Sequence, residues 1–367
     1  MRGVLKWSAG FGLSFLFIWA VSCLFVYTIP PKVYDPELKA FVHMDGEQVR
    51  WISEGWGVTR YGRHGLAGIE DVGAHPEDKV FIWGDSYVQA FQVDDDEKMA
   101  QRFTALWNAA DRRKLLGVGI GFGGRSIADY WSEMPGYEAV LGVPRLNVII
   151  LSNMDDVMPD SPESMFAKFV SSPTFRFLPD ASPQERPFAK AVKKLMFRFR
   201  LHLFGIGNLA KQMFPSDGPN IFKSLRFAPA WGADKPAPPP PAHEFTPEQR
   251  EAAWDFLLES LKTRSTAPLV LVYLPHVPRI DDDHALIFTP EDDETAKAFA
   301  AACVRHGVDL VDLRRDFLEF YRGTGRLPRG FDNYFPGAGH MNPDGHELTA
   351  KALVRYIEEH QHAVLGD

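Results

Sequence analysis

The chain has 367 residues, enough for one large or two modest domains. Its net charge is −8 and no basic stripe dominates it, which argues against a nucleic-acid-binding protein. Only two cysteines occur, Cys23 and Cys303, so no disulfide framework is expected. CxxC and HExxH patterns are absent, and the composition gives no sign of a metal or another cofactor.

The N-terminal region contains an uncharged apolar run over residues 7–28. Its length, roughly twenty residues, is that of a helix crossing a bilayer. Arg2 and Lys6 precede it, which predicts a single-pass anchor in the inner (cytoplasmic) membrane, with a cytoplasmic N-terminus and an extracytoplasmic main domain. A cleaved signal peptide is the alternative. The apolar core is too long for one, and no Ala-x-Ala site closes it.

Residues 29–70 are interpreted as a juxtamembrane segment. Pro30 and Pro31 end the preceding helix, because proline removes backbone donors. The glycine-rich piece 55–65 fits either a short strand that precedes the main sheet or a surface hairpin.

The most informative stretch is an apolar run, Val80 to Trp83, that stops at Gly84-Asp85-Ser86 and is followed by a helix-compatible segment. This order is typical of a buried parallel strand that delivers a side chain to the carboxyl edge of a sheet. A serine at that place is useful chemically only with a proton acceptor and with hydrogen-bond donors for an oxyanion.

Two more segments have the same strand-then-turn character. Residues 115–126 alternate apolar and glycine residues before a helix begins at Ser126; they nearly fit a GxGxxG pattern, but no acidic residue ends a strand about twenty positions later, which disfavours a nucleotide site. Residues 148–151 form a second β-branched run, and its polar exit carries Asn153 and Asp155.

A long insertion follows, over residues 158–245. Residues 186–211 interleave basic and aromatic side chains as an amphipathic helix would, which suits a membrane interface, a helix packed on the domain, or a groove for a partner. The proline-rich stretch 235–241 is predicted to be a stiff spacer that ends the insertion.

The second half alternates helices and strands. Thr246 begins a helix, 267–275 is a buried strand, 290–306 is a helix and 308–313 is the last short strand. This alternation predicts a parallel sheet with right-handed crossovers. His276 follows the 267–275 strand and fits either a position lining the site or an ordinary loop.

The last chemical candidate is His340, in the loop 330–340 that precedes the final helix, 348–357. Imidazole is the side chain suited to accept a serine proton near neutral pH. His346 is expected to pack at the first turn of that helix, so His340 is the preferred base.

The Gly84-Asp85-Ser86 block and the later block His340-x-Asn342-x-x-Gly-His346 together resemble the SGNH (GDSL-type) hydrolases, over residues 55–157 and 246–360. With the predicted anchor, the chain resembles the membrane-anchored envelope polysaccharide O-acetyltransferase and esterase branch of that family. This resemblance implies a flavodoxin-like α/β/α sandwich with about five parallel strands, and a serine mechanism in which Ser86 is the nucleophile and His340 the base.

The resemblance also implies an oxyanion hole made by the Ser86 N–H, a glycine N–H and an asparagine amide. Gly119 and Gly121 both fit the glycine, and the residues do not decide between them. The family's spacing places Asp155 where the asparagine is expected, but a carboxylate would repel an oxyanion, so Asn153 is the better candidate.

One departure from the family concerns the acid of the triad. It usually lies two or three residues before the histidine, and those positions are Ala338 and Gly337. Either Asp332 reaches in from the same loop, or a backbone carbonyl orients His340 in a Ser–His dyad.

The expected organisation is an anchor (1–28), a juxtamembrane segment (29–70), a core in two parts (71–157 and 246–367) and the insertion (158–245). The expected function is that of a serine esterase or O-acyltransferase acting on O-acetyl groups of an extracytoplasmic polysaccharide through an acyl-Ser86 intermediate, with a multi-spanning membrane acyltransferase as a partner. A membrane-anchored scaffold subunit with an inactive site is the alternative from another class; a lipase or phospholipase is a third.

Overall fold

The computed structural model describes residues 2–25, 32–38, 40–51, 54–157, 195, 246–276, 279–280, 286–287 and 290–366. Apart from residue 195, the predicted insertion, with its basic amphipathic helix and proline-rich spacer, lies outside the described residues. The described elements in chain order are α1 (Arg2–Phe25), β1 (Lys32–Asp35), β2 (Ala40–His43), β3 (Gln48–Trp51), β4 (Gly57–Arg60), β5 (Asp78–Gly84), α2 (Ser86–Gln89), α3 (Met99–Asn108), β6 (Leu115–Gly121), α4 (Ile127–Leu141), β7 (Leu146–Leu151), α5 (Pro247–Arg264), β8 (Leu269–Tyr273), β9 (Arg279–Ile280), β10 (Leu286–Ile287), α6 (Pro290–His306), β11 (Asp309–Asp312), α7 (Arg314–Thr324), α8 (Pro343–Glu359) and α9 (Gln361–Leu365).

The main sheet has five strands in the order β11-β8-β7-β5-β6, and every neighbouring pair is parallel. The predicted parallel sheet of about five strands is confirmed. Counted along the chain, the order is 2-1-3-4-5, that of flavodoxin-like doubly wound folds. In such sheets the order reverses beside the first strand, here β5, and ligands bind beyond the carboxyl ends of the strands near that point.

Two apolar layers cover the two faces of the sheet. Phe81 and Trp83 of β5 point into one layer, with α4, α5 and α6. Val80 and Ile82 point into the other, with α3 and α8. All four side chains are fully buried, so the continuous apolar run in the sequence is explained by a strand covered on both faces.

The segment before the sheet forms two short antiparallel pairs, β1 with β2 and β3 with β4. The glycine-rich piece 55–65 supplies β4, a short strand that precedes the main sheet, and its partner β3 lies outside the piece. A buried ammonium fixes β4 to the core: Lys98 Nζ donates to Thr59 Oγ1 at 2.8 Å and also to the carbonyl oxygens of Gln89 and Ala90.

The N-terminal helix α1 is 24 residues long. Among the helices the structure describes, none has the combination of length and apolarity needed to cross a membrane.

Candidate active site

The strand β5 ends at Gly84, and the four-residue helix α2 begins at Ser86. Asp85 caps this helix by accepting a hydrogen bond from the Tyr87 N–H at 2.9 Å. A Cβ at Gly84 would lie 2.3 Å from Val88 Cγ2, so any other residue there would displace the Val88 side chain. The tight strand-to-helix turn therefore places half-buried Ser86 at the carboxyl end of β5, the strand between β6 and β7.

His340 lies directly beside this serine, with Nε2 2.9 Å from Ser86 Oγ, although the two residues are 254 positions apart. The other ring nitrogen, Nδ1, is 2.7 Å from Oε2 of Glu54. The second oxygen of the same carboxylate, Oε1, accepts the backbone N–H of His340 at 2.6 Å. Glu54 is only 8 % exposed, so its carboxylate is committed to His340.

The two partners expected for His340, Asp332 and a backbone carbonyl, are therefore both wrong. Asp332 is exposed and lines a separate cavity of about 510 Å³ with Arg326 and Asp344. Nor is a backbone carbonyl the hydrogen-bond partner of His340 Nδ1. The partner of His340 is Glu54, from the segment that precedes the sheet.

The position of Glu54 depends on a contact between two loops. The Gly55 N–H donates to Asn333 Oδ1 at 2.8 Å, and Asn333 Nδ2 donates back to the Gly55 carbonyl at 3.0 Å. Gly339 has a φ of +84°, and a Cβ there would lie 2.3 Å from Glu54 Oε1. The glycine before the histidine is thus required by the approach of the carboxylate. No motif in the sequence marks Glu54, because its partner loop is 286 positions away.

The glycine predicted to donate to the oxyanion is not placed as expected. Gly119 lies inside β6, paired with Ile82 of β5. Gly121 is pressed against α2, since a Cβ there would lie 2.1 Å from the Gln89 backbone nitrogen. The glycine that approaches the nucleophile is Gly123, whose Cβ would lie 3.8 Å from that of Ser86.

A buried network holds the Gly123 loop. Its N–H donates to Gln89 Oε1 at 3.1 Å. The Gln89 amide nitrogen is 2.9 Å from His43 Nε2 and donates to the Tyr61 hydroxyl at 3.3 Å. Gln89 thus connects α2, which carries Ser86, to the loop after β6.

Asn153 is half-buried in the turn that follows β7, the neighbour of β5. Its backbone hydrogen-bonds to Asp156, whose carboxylate also accepts from the Ser152 N–H at 2.6 Å. The structure therefore places Asn153 at the carboxyl edge of the adjacent strand. The side chain of Asp155 lies outside the described part.

The two other histidines considered have different surroundings. His346 lies in the first turn of α8 and is 1 % exposed; burial lowers its pKa to about 3, so the ring is neutral. His276 is exposed just beyond β8. Neither makes the contact with Ser86 that His340 makes.

Together, Ser86, His340 and Glu54 form a hydrogen-bonded line that can move a proton. With Glu54 ionised, Nδ1–H of a neutral His340 donates to the carboxylate, which leaves Nε2 free to accept the Ser86 proton. This is the arrangement of an activated serine nucleophile. Tyr87 and Asp85 adjoin it, and burial raises the pKa of both groups.

No family model and no curated protein matches the chain. Among solved structures, it is similar to an acetyl xylan esterase, with 14 % identity and a TM-score of 0.38, over 76 % of this chain and 99 % of the other. An acetyl xylan esterase from Geobacillus stearothermophilus has 13 % identity and a TM-score of 0.38, over 77 % and 94 %. A GDSL-like protein from Parabacteroides merdae has 12 % identity and a TM-score of 0.36, over 77 % and 94 %.

Proposed function

We propose that the protein is a serine esterase or O-acyltransferase that works through an acyl-Ser86 intermediate. The observation that carries the proposal is the line of hydrogen bonds from Glu54 through His340 to Ser86, with distances of 2.7 and 2.9 Å. A hydroxyl, an imidazole and a buried carboxylate in that order are the parts that serine acyl transfer needs.

In the proposed reaction, Ser86 Oγ attacks the carbonyl carbon of an ester while His340 Nε2 takes the hydroxyl proton. The resulting imidazolium is stabilised by the Glu54 carboxylate. His340 then protonates the departing alkoxide as the ester C–O bond breaks, which leaves Ser86 acylated. Water or another hydroxyl, deprotonated by His340, attacks the acyl group and restores the serine.

The negative oxygen of the tetrahedral intermediate requires donors near Ser86. The helix α2 begins at Ser86, so the N–H of that residue is one of the amides at a helix start that have no acceptor within the helix. The Gly123 N–H already donates to Gln89 Oε1 at 3.1 Å, and the side-chain amide of Asn153 stays a prediction from the family resemblance. Each such donor contributes roughly 3–4 kcal/mol in serine hydrolases.

We further propose an acetyl ester on an extracytoplasmic polysaccharide as the substrate. The support is the family resemblance of the two sequence blocks, together with exposed aromatic side chains in the loops that carry the triad. Trp56, two residues after Glu54, is 69 % exposed, and Phe335, on the histidine loop, is 49 % exposed. Aromatic faces of this kind attract the polarised C–H groups of sugar rings.

The experiment that tests the reaction uses an aryl acetate and a fluorophosphonate probe. Wild-type protein is expected to hydrolyse the ester and to be labelled at Ser86, and Ser86→Ala should lose both activities. Ser132→Ala is the matched control, because the Ser132 hydroxyl donates to the Asp129 carbonyl within α4 at 2.8 Å. Equal turnover by wild type and Ser86→Ala would rule the proposal out.

The scaffold alternative was motivated by the missing acid and by the insertion. Glu54 now supplies an acid in hydrogen-bond contact with His340, so only the insertion still favours that alternative. A properly folded wild-type protein that fluorophosphonate does not label would favour the scaffold.

We also propose that the protein is attached to the inner membrane through residues 7–28, with its main domain extracytoplasmic and a multi-spanning acyltransferase as the acyl donor. The charges of Arg2 and Lys6 support this orientation, and Trp7, Phe11 and Phe17 of α1 are exposed. The test is fractionation of cells that produce either the full-length chain or a chain without residues 1–28. The full-length chain should stay with the membranes, and its release by salt alone would contradict the proposal.

A further inference from the structure

Tyr87 and Arg329 form a connection between the rigid sheet edge and the loop that carries His340. We infer that these two residues position His340 for proton transfer. This inference rests on the proposed function. It concerns residues that touch neither the ester nor the serine proton, and that no sequence motif indicates.

Arg329 is the fixed end of the connection. It is 3 % exposed, and its Nη2 donates to the carbonyl of Ser152 at 2.7 Å and to that of Leu274 at 3.0 Å. These carbonyls lie just beyond β7 and β8, adjacent strands of the sheet. A planar guanidinium can donate to several oxygens at once, so Arg329 is held in one orientation by the strand ends.

Tyr87 is the other end of the connection. Arg329 Nη1 donates to its phenol oxygen at 2.8 Å, and the Tyr87 hydroxyl donates in turn to the Gly339 carbonyl at 3.0 Å. The Tyr87 ring lies against the His340 ring, with centroids 4.9 Å apart. Tyr87 also follows Ser86 directly in α2. A single residue of that helix therefore contacts both His340 and Gly339.

These contacts supply a constraint that Glu54 does not. Glu54 holds the His340 ring from its Nδ1 edge and its backbone nitrogen. Rotation of the ring about that edge would swing Nε2 away from Ser86, and the Tyr87 ring closes the face against such rotation. The hydrogen bond from the Tyr87 hydroxyl to the carbonyl of Gly339, whose φ is +84°, also fixes the backbone next to His340.

The test is Tyr87→Phe, which keeps the ring and removes both hydrogen bonds of the hydroxyl. Tyr356→Phe is the matched control: the same atom is lost, and the hydrogen bond to Asp309 Oδ2 at 2.7 Å is broken far from the serine, on α8. Both variants are expected to melt at a lower temperature than wild type. Only Tyr87→Phe should lower kcat, by roughly 10-fold to 100-fold, with little change in KM and an equal fall in the rate of fluorophosphonate labelling.

Arg329→Lys is the second variant. A lysine keeps the charge but cannot donate to three oxygens in a fixed plane, so kcat should fall in the same way. This variant decides the question if Tyr87→Phe does not fold.

The outcomes separate the two proposals. Suppose that wild-type turnover depends on Ser86, but kcat of Tyr87→Phe or Arg329→Lys is no lower than kcat of Tyr356→Phe. That result overturns this inference and leaves the proposed function in place. Wild-type protein without Ser86-dependent turnover or labelling overturns the proposed function, and the inference with it.

Discussion

Glu54 and His340 are 286 positions apart, yet they share two hydrogen bonds through the two oxygens of one carboxylate. One bond orients the imidazole ring and the other fixes the backbone of the loop that carries it. The segment before the sheet is therefore part of the candidate active site and not only a connection to it.

The first prediction concerns this carboxylate. Glu54→Gln keeps the size of the side chain but removes the charge that stabilises the imidazolium, so kcat should fall by roughly 10²-fold to 10⁴-fold. Asp332→Asn is the control, because Asp332 is exposed and lines a cavity that does not include Ser86, His340 or Glu54. Steady-state kinetics on an aryl acetate measure both. If Asp332→Asn shows the larger loss, the assignment of Glu54 is wrong.

The second prediction concerns the glycines of β6. At Gly119 a Cβ would meet only Ala100 and Val88, at 3.4 and 3.5 Å, so Gly119→Ala should fold and keep its activity. At Gly121 a Cβ would lie 2.1 Å from a backbone nitrogen of α2, so Gly121→Ala should lower the melting temperature and the activity together. Thermal melts and ester turnover measure the difference. Loss of turnover in a stable Gly119→Ala protein would contradict the expectation that a Cβ fits at Gly119 without disturbing the serine turn.

The third prediction concerns Gln89. Gln89→Met keeps the length of the side chain but leaves the Gly123 N–H and the Tyr61 hydroxyl without this partner. The loop beside Ser86 should loosen, and kcat should fall by roughly 10-fold. Gln101→Met is the matched control, since Gln101 donates to the Ala67 carbonyl at 3.1 Å, away from the serine. Equal kinetics for the two variants would show that Gln89 does not support the site.

The fourth prediction concerns the buried Lys98. Burial lowers its pKa to about 8, from an ordinary value of 10.5. Between these values the unfolded chain binds the proton more strongly than the folded one, so the destabilisation due to the buried charge is present below pH 8 and is relieved as the pH rises. The difference between the two pKa values corresponds to roughly 3 kcal/mol in the free energy of unfolding.

Denaturant unfolding of wild type and Lys98→Met at several pH values tests this. Methionine does not titrate, so subtraction of the two curves removes the contribution of the other groups. The wild type should gain stability relative to Lys98→Met from pH 8 to 10.5. A difference that stays constant, or that moves in the opposite direction, would contradict the assignment.

The sheet could be predicted from the sequence to a large extent. Val80 to Trp83 and residues 148–151 are continuous apolar runs, and such runs arise when a strand is buried on both faces, as β5 and β7 are. The turn at Gly84-Asp85-Ser86 is also a local matter, because a glycine and a capping aspartate suffice to end a strand and start a helix. The loop of His340 could be placed for the same reason, from the start of the helix behind it.

The residues that complete the site could not be predicted in this way. No local pattern in the sequence predicts Glu54, rather than Asp332 or a backbone carbonyl, as the partner of His340, or Gly123 as the glycine that approaches Ser86. Each of these contacts joins segments that are distant in the chain, where neighbouring residues carry no information about the partner.

Local hydrophobicity and turn chemistry thus determined the strands, the serine turn and the histidine loop, since these depend on interactions over a few residues. Which carboxylate meets His340, which glycine meets Ser86, and how Arg329 and Tyr87 connect the sheet to the histidine depend on how the segment before the sheet packs on the core. Only the tertiary structure decided those contacts, because burial and close approach are properties of the folded chain.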